Sequence, residues 1–203
     1  FIPETGGGSR AKNRSFKREA QMGTLEFHIW GSRIDELEKP DMMVFDLDPD
    51  EGMDIERVRQ GVWDLKSILK ELSLDSYLKT SGGKGYHVVV PLKPSVNWDR
   101  FHDFARGVAE VMEKKWPDRY TSNVRKAKRA GKIFIDWIRN ARGATSIAPY
   151  SLRARKGARV SMPISWEELD NVAPNGINIK DALLRFEVND PWKDFFNCNQ
   201  MLK

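Results

Sequence analysis

Asp46 and Asp48 stand two residues apart, just after the apolar run Met42-Met43-Val44-Phe45. On an extended chain, residues two apart project from the same face, so these carboxylates would repel unless a cation lay between them. An all-oxygen donor set of this kind suits a hard divalent ion, Mn2+ or Mg2+. A third acid, Asp136, ends a second apolar run, Ile133-Phe134-Ile135. Three carboxylates able to hold two ions are what in-line phosphoryl or nucleotidyl transfer requires: one ion activates the attacking oxygen and the other steadies the leaving one. Asp-x-Asp-Pro is also a common surface turn, so this motif alone leaves both readings open.

Ser81-Gly82-Gly83-Lys84-Gly85-Tyr86-His87 has the composition of a phosphate cradle. Glycines expose backbone N–H groups, and Ser81, Lys84 and His87 add side-chain donors. The spacing is not that of a P-loop, and a strand follows rather than a helix. A glycine-rich hairpin turn explains the composition equally well. His28 and His87 both fall on strand-like stretches, and His102 falls on a helix at a position expected to be exposed. Between Arg119 and Trp166 lie twelve basic residues and one acid, Asp136, a local charge of +11. The rest of the chain, with 22 basic and 28 acidic residues, carries −6. Such a block predicts a polyanionic partner, since each phosphate neutralised releases condensed counterions. Arg125, Lys126, Lys128, Arg129, Lys132 and Arg155 are the candidates for contacts to DNA.

The elements that must position these groups can be read from periodicity. Thr24–Trp30 alternates and predicts a strand. Met42–Phe45 begins a predicted buried strand that ends in the acids Asp46 and Asp48, because Pro49 cannot donate to a ladder. Asp54 is placed to cap a helix whose Ile55, Val58, Val62, Leu65, Ile68, Leu69 and Leu72 recur at helical spacing up to Ser73. Ser76–Thr80 and Tyr86–Pro91 predict two strands joined by the glycine loop. A second amphipathic helix spans about Asn97 to Trp116 and is ended by Pro117. Ile133–Trp137, Ser146–Tyr150 and Arg159–Met162 predict further strands, and Ser165–Leu169 and Lys180–Phe186 small helices. Strands and helices mix without a strict βαβ rhythm, so the expected class is α+β, a mixed sheet with flanking helices. Residues 1–22, rich in glycine and charge, are expected to be a flexible or truncated N-terminal segment ahead of a catalytic domain over 23–203.

Four ordered stretches carry a resemblance: GTLEFHIWGSR at 23–33, PDMMVFDLDPDEG at 40–52, LKTSGGKGYHVVVPL at 78–92 and GKIFIDWIRNARGATSIAPYSLRAR at 131–155. Together they resemble the archaeo-eukaryotic primase superfamily and, more closely, the polymerase domain of bacterial non-homologous end-joining ligase D, over about residues 22–192. The resemblance implies a primase-like catalytic core with an RRM-like half, and template-directed primer extension and gap filling at double-strand break ends, with a preference for ribonucleotides. It matches Asp46, Asp48 and Asp136 to the family's metal-binding carboxylates. Ser81, Lys84 and His87 match its triphosphate-binding hairpin, Arg153 an arginine that grips the nucleotide's phosphates, and His28 a histidine near the active centre. Arg139 is placed with the nucleotide-binding group. Implied partners are DNA ends with template and primer strands, nucleoside triphosphates, a Ku-type end-binding protein and a ligase module. Family members also have a longer N-terminal region whose lysines recognise a 5′-phosphate. Here that region is either missing or represented by Arg10, Lys12, Arg14, Lys17 and Arg18.

Composition narrows the remaining options. A chain of 203 residues, 40% hydrophobic and 31% charged, is neither a disordered tail nor a fibre. No apolar run approaches the roughly 20 residues of a membrane span. A single cysteine, Cys198, excludes an internal disulfide or a thiolate zinc cage. The chain opens Phe1-Ile2-Pro3-Glu4, without an initiator methionine or a secretion leader, so a piece of a longer cytoplasmic, nucleoid-associated polypeptide is expected. Haloacid-dehalogenase phosphatases also place Asp-x-Asp after a strand and carry a further acidic pair late in the chain, but this sequence has no adjacent Asp-Asp. The non-enzymatic alternative is a DNA end-binding or bridging module on the same fold.

Overall fold

The computed structural model describes residues 17–188 and 190–202. Arg10, Lys12 and Arg14, with most of the segment expected to be flexible, lie outside these residues; residues 17–21 are helical.

The run that begins at Met42 forms a strand that ends in the acids, as the sequence predicts. Strand β2 spans Met42–Pro49 and carries Asp46 and Asp48 inside the ladder. Pro49 takes its last position, opposite Ile133, where a missing donor costs least. Around it form β3 (Tyr77–Thr80), β4 (Tyr86–Pro91), β5 (Tyr120–Thr121), β6 (Ile133–Asp136) and β8 (Pro163–Ile164). These six strands lie in the order β5-β6-β2-β4-β3-β8. All neighbours are antiparallel except β5 and β6, so the sheet is mixed and the fold α+β. A separate two-stranded ribbon joins β1 (His28–Ile29) to β7 (Ser146–Ile147).

The strand expected over residues 24–30 is therefore only two residues long, as is the one expected over 146–150, because each has only the other to pair with. The strand expected over Arg159–Met162 reduces to a bridge from Val160 to Leu152, with β8 beginning at Pro163. Of the two small C-terminal helices, residues 166–168 form a 3-10 turn with a Ser165 capping box. The other is α3 (Ile179–Arg185), capped by Asn178.

The two long helices form for the reasons legible in their sequences. In α1 (Ile55–Glu71), the Asp54 side chain accepts from the Glu56 N–H at 3.1 Å, and Val58, Val62, Leu65, Ile68 and Leu69 face inward. In α2 (Trp98–Lys115), Asn97 accepts from the Arg100 N–H at 3.0 Å, and Trp98, Phe101, Ala105, Val108 and Met112 are buried. Both helices cover one face of the sheet, where Met43, Phe45, Leu47, Leu78, Val88, Val90, Ile133 and Ile135 complete the main core. Gly61 lets α1 come close: a Cβ there would lie 3.1–3.3 Å from Ile133, Tyr120 and Leu47. No helix among the described residues is long and apolar enough to cross a membrane.

The opposite face divides into two regions. At one end Val44 and Val89 pack with Trp192 and Phe195 in a small apolar cluster, and the Trp192 indole donates to the Leu78 carbonyl at 3.0 Å. At the other end the side chains are charged. Between β2 and β6 the ladder covers Asp46 to Pro49, which leaves Val44 beyond its end. Asn140, buried in the 3-10 turn after β6, takes over there. Its side chain accepts from the Val44 N–H at 2.7 Å and donates to the Val44 carbonyl at 2.8 Å. The amide thus stands in for one more backbone pair and ties the turn after Asp136 to β2. Replacing Asn140 by Ala should orphan both Val44 groups and lower unfolding stability by about 2–3 kcal/mol. Urea denaturation is the measurement, and a change under about 0.5 kcal/mol would contradict this role.

Candidate active site

Strand register places one transverse row across the sheet. Asp46 lies opposite Asp136 on β6 and opposite His87 on β4, and His87 lies opposite Lys79 on β3. Residues paired across a ladder share a face, so Asp136, Asp46, His87 and Lys79 all project away from the helices. Asp48, two residues along β2, projects beside them. The sequence expectation that three carboxylates converge from two strands is matched by this register.

Charge is balanced tightly along the row. The Asp136 carboxylate accepts from Arg139 Nε at 3.0 Å and from the Ile138 N–H at 3.0 Å. Asp48 meets an Arg129 guanidinium nitrogen at 3.5 Å, and that guanidinium packs 3.5 Å from the centre of the Phe134 ring. His87 Nε2 lies 3.4 Å from the Asp46 carboxylate. Lys79 is almost wholly buried and donates to Ser161 Oγ at 2.7 Å.

Burial opposes ionisation of Asp46, but the His87 ring, with Arg139 and Lys79, outweighs it and holds the carboxyl below the usual range. Burial, followed by the Lys79 charge, holds the His87 imidazole below its ordinary value despite the pull of Asp46. Asp48 is pushed up by burial and by repulsion from Asp46, against the pull of Arg129, Lys84 and Arg139. Asp136 is pushed up by burial, with Arg139 pulling the other way and Asp46 adding repulsion.

Among the described residues, no group of three or more His, Cys, Asp or Glu side chains is arranged to grip a metal ion as it stands. The donor chemistry nonetheless fits a divalent cation. The oxygens are all carboxylate, they lie on neighbouring positions of one face, and the repulsion that raises Asp48 and Asp136 is what such a cation would relieve.

The glycine hairpin lies at the end of the row. Ser81 Oγ donates to the Gly85 carbonyl at 2.6 Å and accepts from the Gly83 N–H at 3.1 Å, closing the loop on itself. Gly85 has no substitute: a Cβ there would come within 1.9 Å of the Leu47 carbonyl oxygen. Lys84 is exposed at the tip, whereas His87 is buried in β4. Arg153 leans over the hairpin and donates to the Ser81 carbonyl at 3.1 Å. It sits so close to Gly82, whose φ is +66°, that a Cβ there would meet its Cγ at 2.6 Å. His28 lies on the ribbon and is hydrogen-bonded at 2.8 Å to Glu26 rather than to any member of the row.

The basic residues assigned to DNA divide between two places. Arg125, Lys126 and Lys128 are exposed on the loop before β6, and Lys132 is half-buried there. Arg129 instead turns inward onto Asp48. Arg155 reaches the hairpin, with a guanidinium nitrogen 3.5 Å from where a Gly83 Cβ would be. His102, expected to be exposed, packs its ring against Trp137. A cavity of about 320 Å³ lined by Glu56, Arg57, Gln60, Arg119 and Ile133 lies beside α1 on the helix side of the sheet, away from the row. Sequence reading missed Lys79, Ser161 and Glu26. Lys79 carried one usable signal, a lysine inside an otherwise strand-like segment next to the loop.

Lys79 makes stability depend on pH. Burial lowers its pKa to about 7 from 10.5, despite the pull of Asp46. Between those values the unfolded chain binds the extra proton, so stability should rise as pH increases from about 7 to about 10. The gain should approach roughly 1 kcal/mol per pH unit. Lys79→Met should flatten this rise in urea titrations at pH 7 and 9.5, and an undiminished rise would place its source elsewhere.

A family model described as LigD, primase-polymerase domain, matches residues 11–192. The multifunctional non-homologous end joining protein LigD of Pseudomonas aeruginosa is 40% identical over 186 residues, covering 90% of this chain and 22% of that protein. The bifunctional non-homologous end joining protein LigD of Bacillus subtilis is 30% identical over 179 residues, covering 87% of this chain and 29% of that protein. This chain therefore spans less than a third of the length of these relatives. Among solved structures, the polymerase domain from Mycobacterium tuberculosis ligase D in complex with DNA matches with a TM-score of 0.80 at 31% identity, over 90% of this chain and 67% of that one.

Proposed function

We propose that this chain, which belongs to the LigD primase-polymerase domain family, is a template-directed nucleotidyltransferase. It extends primer strands and fills gaps at double-strand break ends, with a preference for ribonucleotides. The observation that carries this reading is the transverse row, in which Asp136, Asp46 and His87 share one face of the sheet and Asp48 stands beside them. That face ends at the hairpin where Ser81, Lys84 and Arg153 gather.

The chain's own residues divide the work. Ser81, Lys84, His87 and Arg153 hold the triphosphate, and positive charge there offsets the negative charge that develops on departing pyrophosphate. Arg139 keeps Asp136 oriented, and Arg129 does the same for Asp48. Asp46, Asp48 and Asp136 would hold two Mn2+ or Mg2+ ions, which supply the Lewis acidity that makes a primer 3′-hydroxyl a better nucleophile at the α-phosphorus and neutralises the leaving group. The exposed cations Arg125, Lys126 and Lys128, with Lys132 beside them, give the DNA backbone a track. A solved relative in complex with DNA supports DNA as the partner. The non-homologous end joining in the names of the relatives supports break ends as the setting, and a Ku-type end-binding protein and a ligase module are the companions this reading proposes.

Primer extension with Mn2+ and a ribonucleoside triphosphate tests the reading. Asp46→Ala should lose extension by at least about 100-fold, the scale on which loss of a charge-stabilising group registers. Its affinity for primer-template DNA should stay within about twofold, because the basic loop is untouched. If the parent chain binds DNA but incorporates no nucleotide, the end-bridging module becomes the better description. If Asp46→Ala extends as fast as the parent, the carboxylate assignment fails.

A further inference from the structure

Glu26 lies two residues before His28 in an extended stretch, so both side chains leave the backbone on the same side. One oxygen of its carboxylate, Oε1, accepts from His28 Nε2 at 2.8 Å. The other, Oε2, accepts from the Ala154 N–H at 2.8 Å and lies 3.4 Å from Arg153 Nε. That Nε is buried and has no hydrogen bond of good geometry, so Glu26 is its counter-ion at the nearest approach recorded. From there the chain of contacts reaches the hairpin, because Arg153 also donates to the Ser81 carbonyl at 3.1 Å. The stretch bearing Glu26 is itself fixed: the Phe27 N–H donates to Ser151 Oγ at 2.8 Å, and the Phe27 carbonyl accepts from the Ala148 N–H at 2.9 Å. A single carboxylate therefore joins a histidine on the ribbon, an arginine at the hairpin and the backbone between them, across more than 120 residues of sequence.

We propose that Glu26, anchored by His28 and the Ala154 N–H, is a positioning residue for the incoming nucleotide, holding Arg153 in the orientation in which it meets the triphosphate. The inference rests on the nucleotidyl-transfer reading. On charge alone, a carboxylate beside the arginine that grips a polyanion should weaken that grip. His28, Ala154 and Arg153 outweigh the effect of burial and keep Glu26 below its ordinary pKa, so it stays ionised. Its contribution must then be geometric: it removes the freedom of a long side chain that binding would otherwise have to freeze. A plain counter-ion and a positioning group give opposite signs when the charge is removed.

The test uses the 203-residue chain, with primer extension and with equilibrium binding of a ribonucleoside triphosphate. Glu26→Gln keeps an acceptor for the Ala154 N–H but gives up the charge that holds Arg153. Its KM for the nucleotide should rise about tenfold while kcat stays within about twofold, the pattern of lost ground-state binding. Glu26→Asp, which keeps the charge on a shorter arm, should recover part of the loss. In an Arg153→Ala background, adding Glu26→Gln should change KM by less than about twofold, because the residue it acts through is gone. Should Glu26→Gln melt far below the parent, Glu26→Asp still decides: a nucleotide KM equal to the parent's would overturn the inference. Unchanged or tighter nucleotide binding in Glu26→Gln, or additive losses in the double variant, would overturn the inference. A parent that binds and incorporates nucleotide, while Glu26→Gln matches it, removes this role alone. A parent that binds no nucleotide removes the polymerase reading and this inference together.

Discussion

Carboxylates crowded on one face of a sheet repel each other, and the arrangement around Asp46 is a response to that repulsion. Asp136 stands opposite it and Asp48 beside it, and burial, with repulsion from Asp46 added, raises the pKa of both neighbours. Three cationic groups restrain the cluster: Arg139 on Asp136, Arg129 on Asp48, and Lys79 two strands away along the row. Like charges this close destabilise a sheet unless something of opposite sign is held in place. The surrounding structure supplies that something from four directions: the turn after β6, the basic loop before it, β3, and the hairpin whose Lys84 also pulls on Asp48.

The sheet makes this tolerable by separating its two faces. On the helix side, alternate residues of β2, namely Met43, Phe45 and Leu47, are fully buried with α1 and α2. On the other side the same strand reads Val44, Asp46, Asp48, apolar at the end covered by Trp192 and Phe195 and charged where the sheet opens. The driving force for folding and the polar chemistry thus occupy opposite faces of one strand. Asn140 guards the boundary between apolar and charged ends by completing the backbone pairing of Val44 where the ladder runs out.

Much of this was legible in the sequence because it is encoded locally. The helix caps at Asp54 and Asn97, the apolar periodicity that follows them and the glycine hairpin each announce themselves within a few residues. The acids of β2 and β6 were visible both as chemistry and as strand ends, and pairing with β6 carries β2 to Pro49. What escaped was non-local. β5 exists because two residues find β6 in parallel. Arg129 looked like one more cation in a basic block until folding laid it on Phe134 and Asp48. Lys79 and Ser161 become partners across 82 positions, and Glu26 reaches Ala154 across 128. No window along the chain contains such pairs, and only the finished sheet brings them together.

Register also governs what a misassembled molecule can do. Side chains alternate between faces along a strand, so a slip of one position between β2 and β6 would send Asp136 under the helices and bring Phe134's neighbours to the charged side. The cluster would then be short of an acid, and the buried layer would have to accommodate one. Both penalties fall on the same error. A mispaired chain would therefore lose the carboxylate cluster and the continuity of its apolar layer together, so a single register error carries two separate costs.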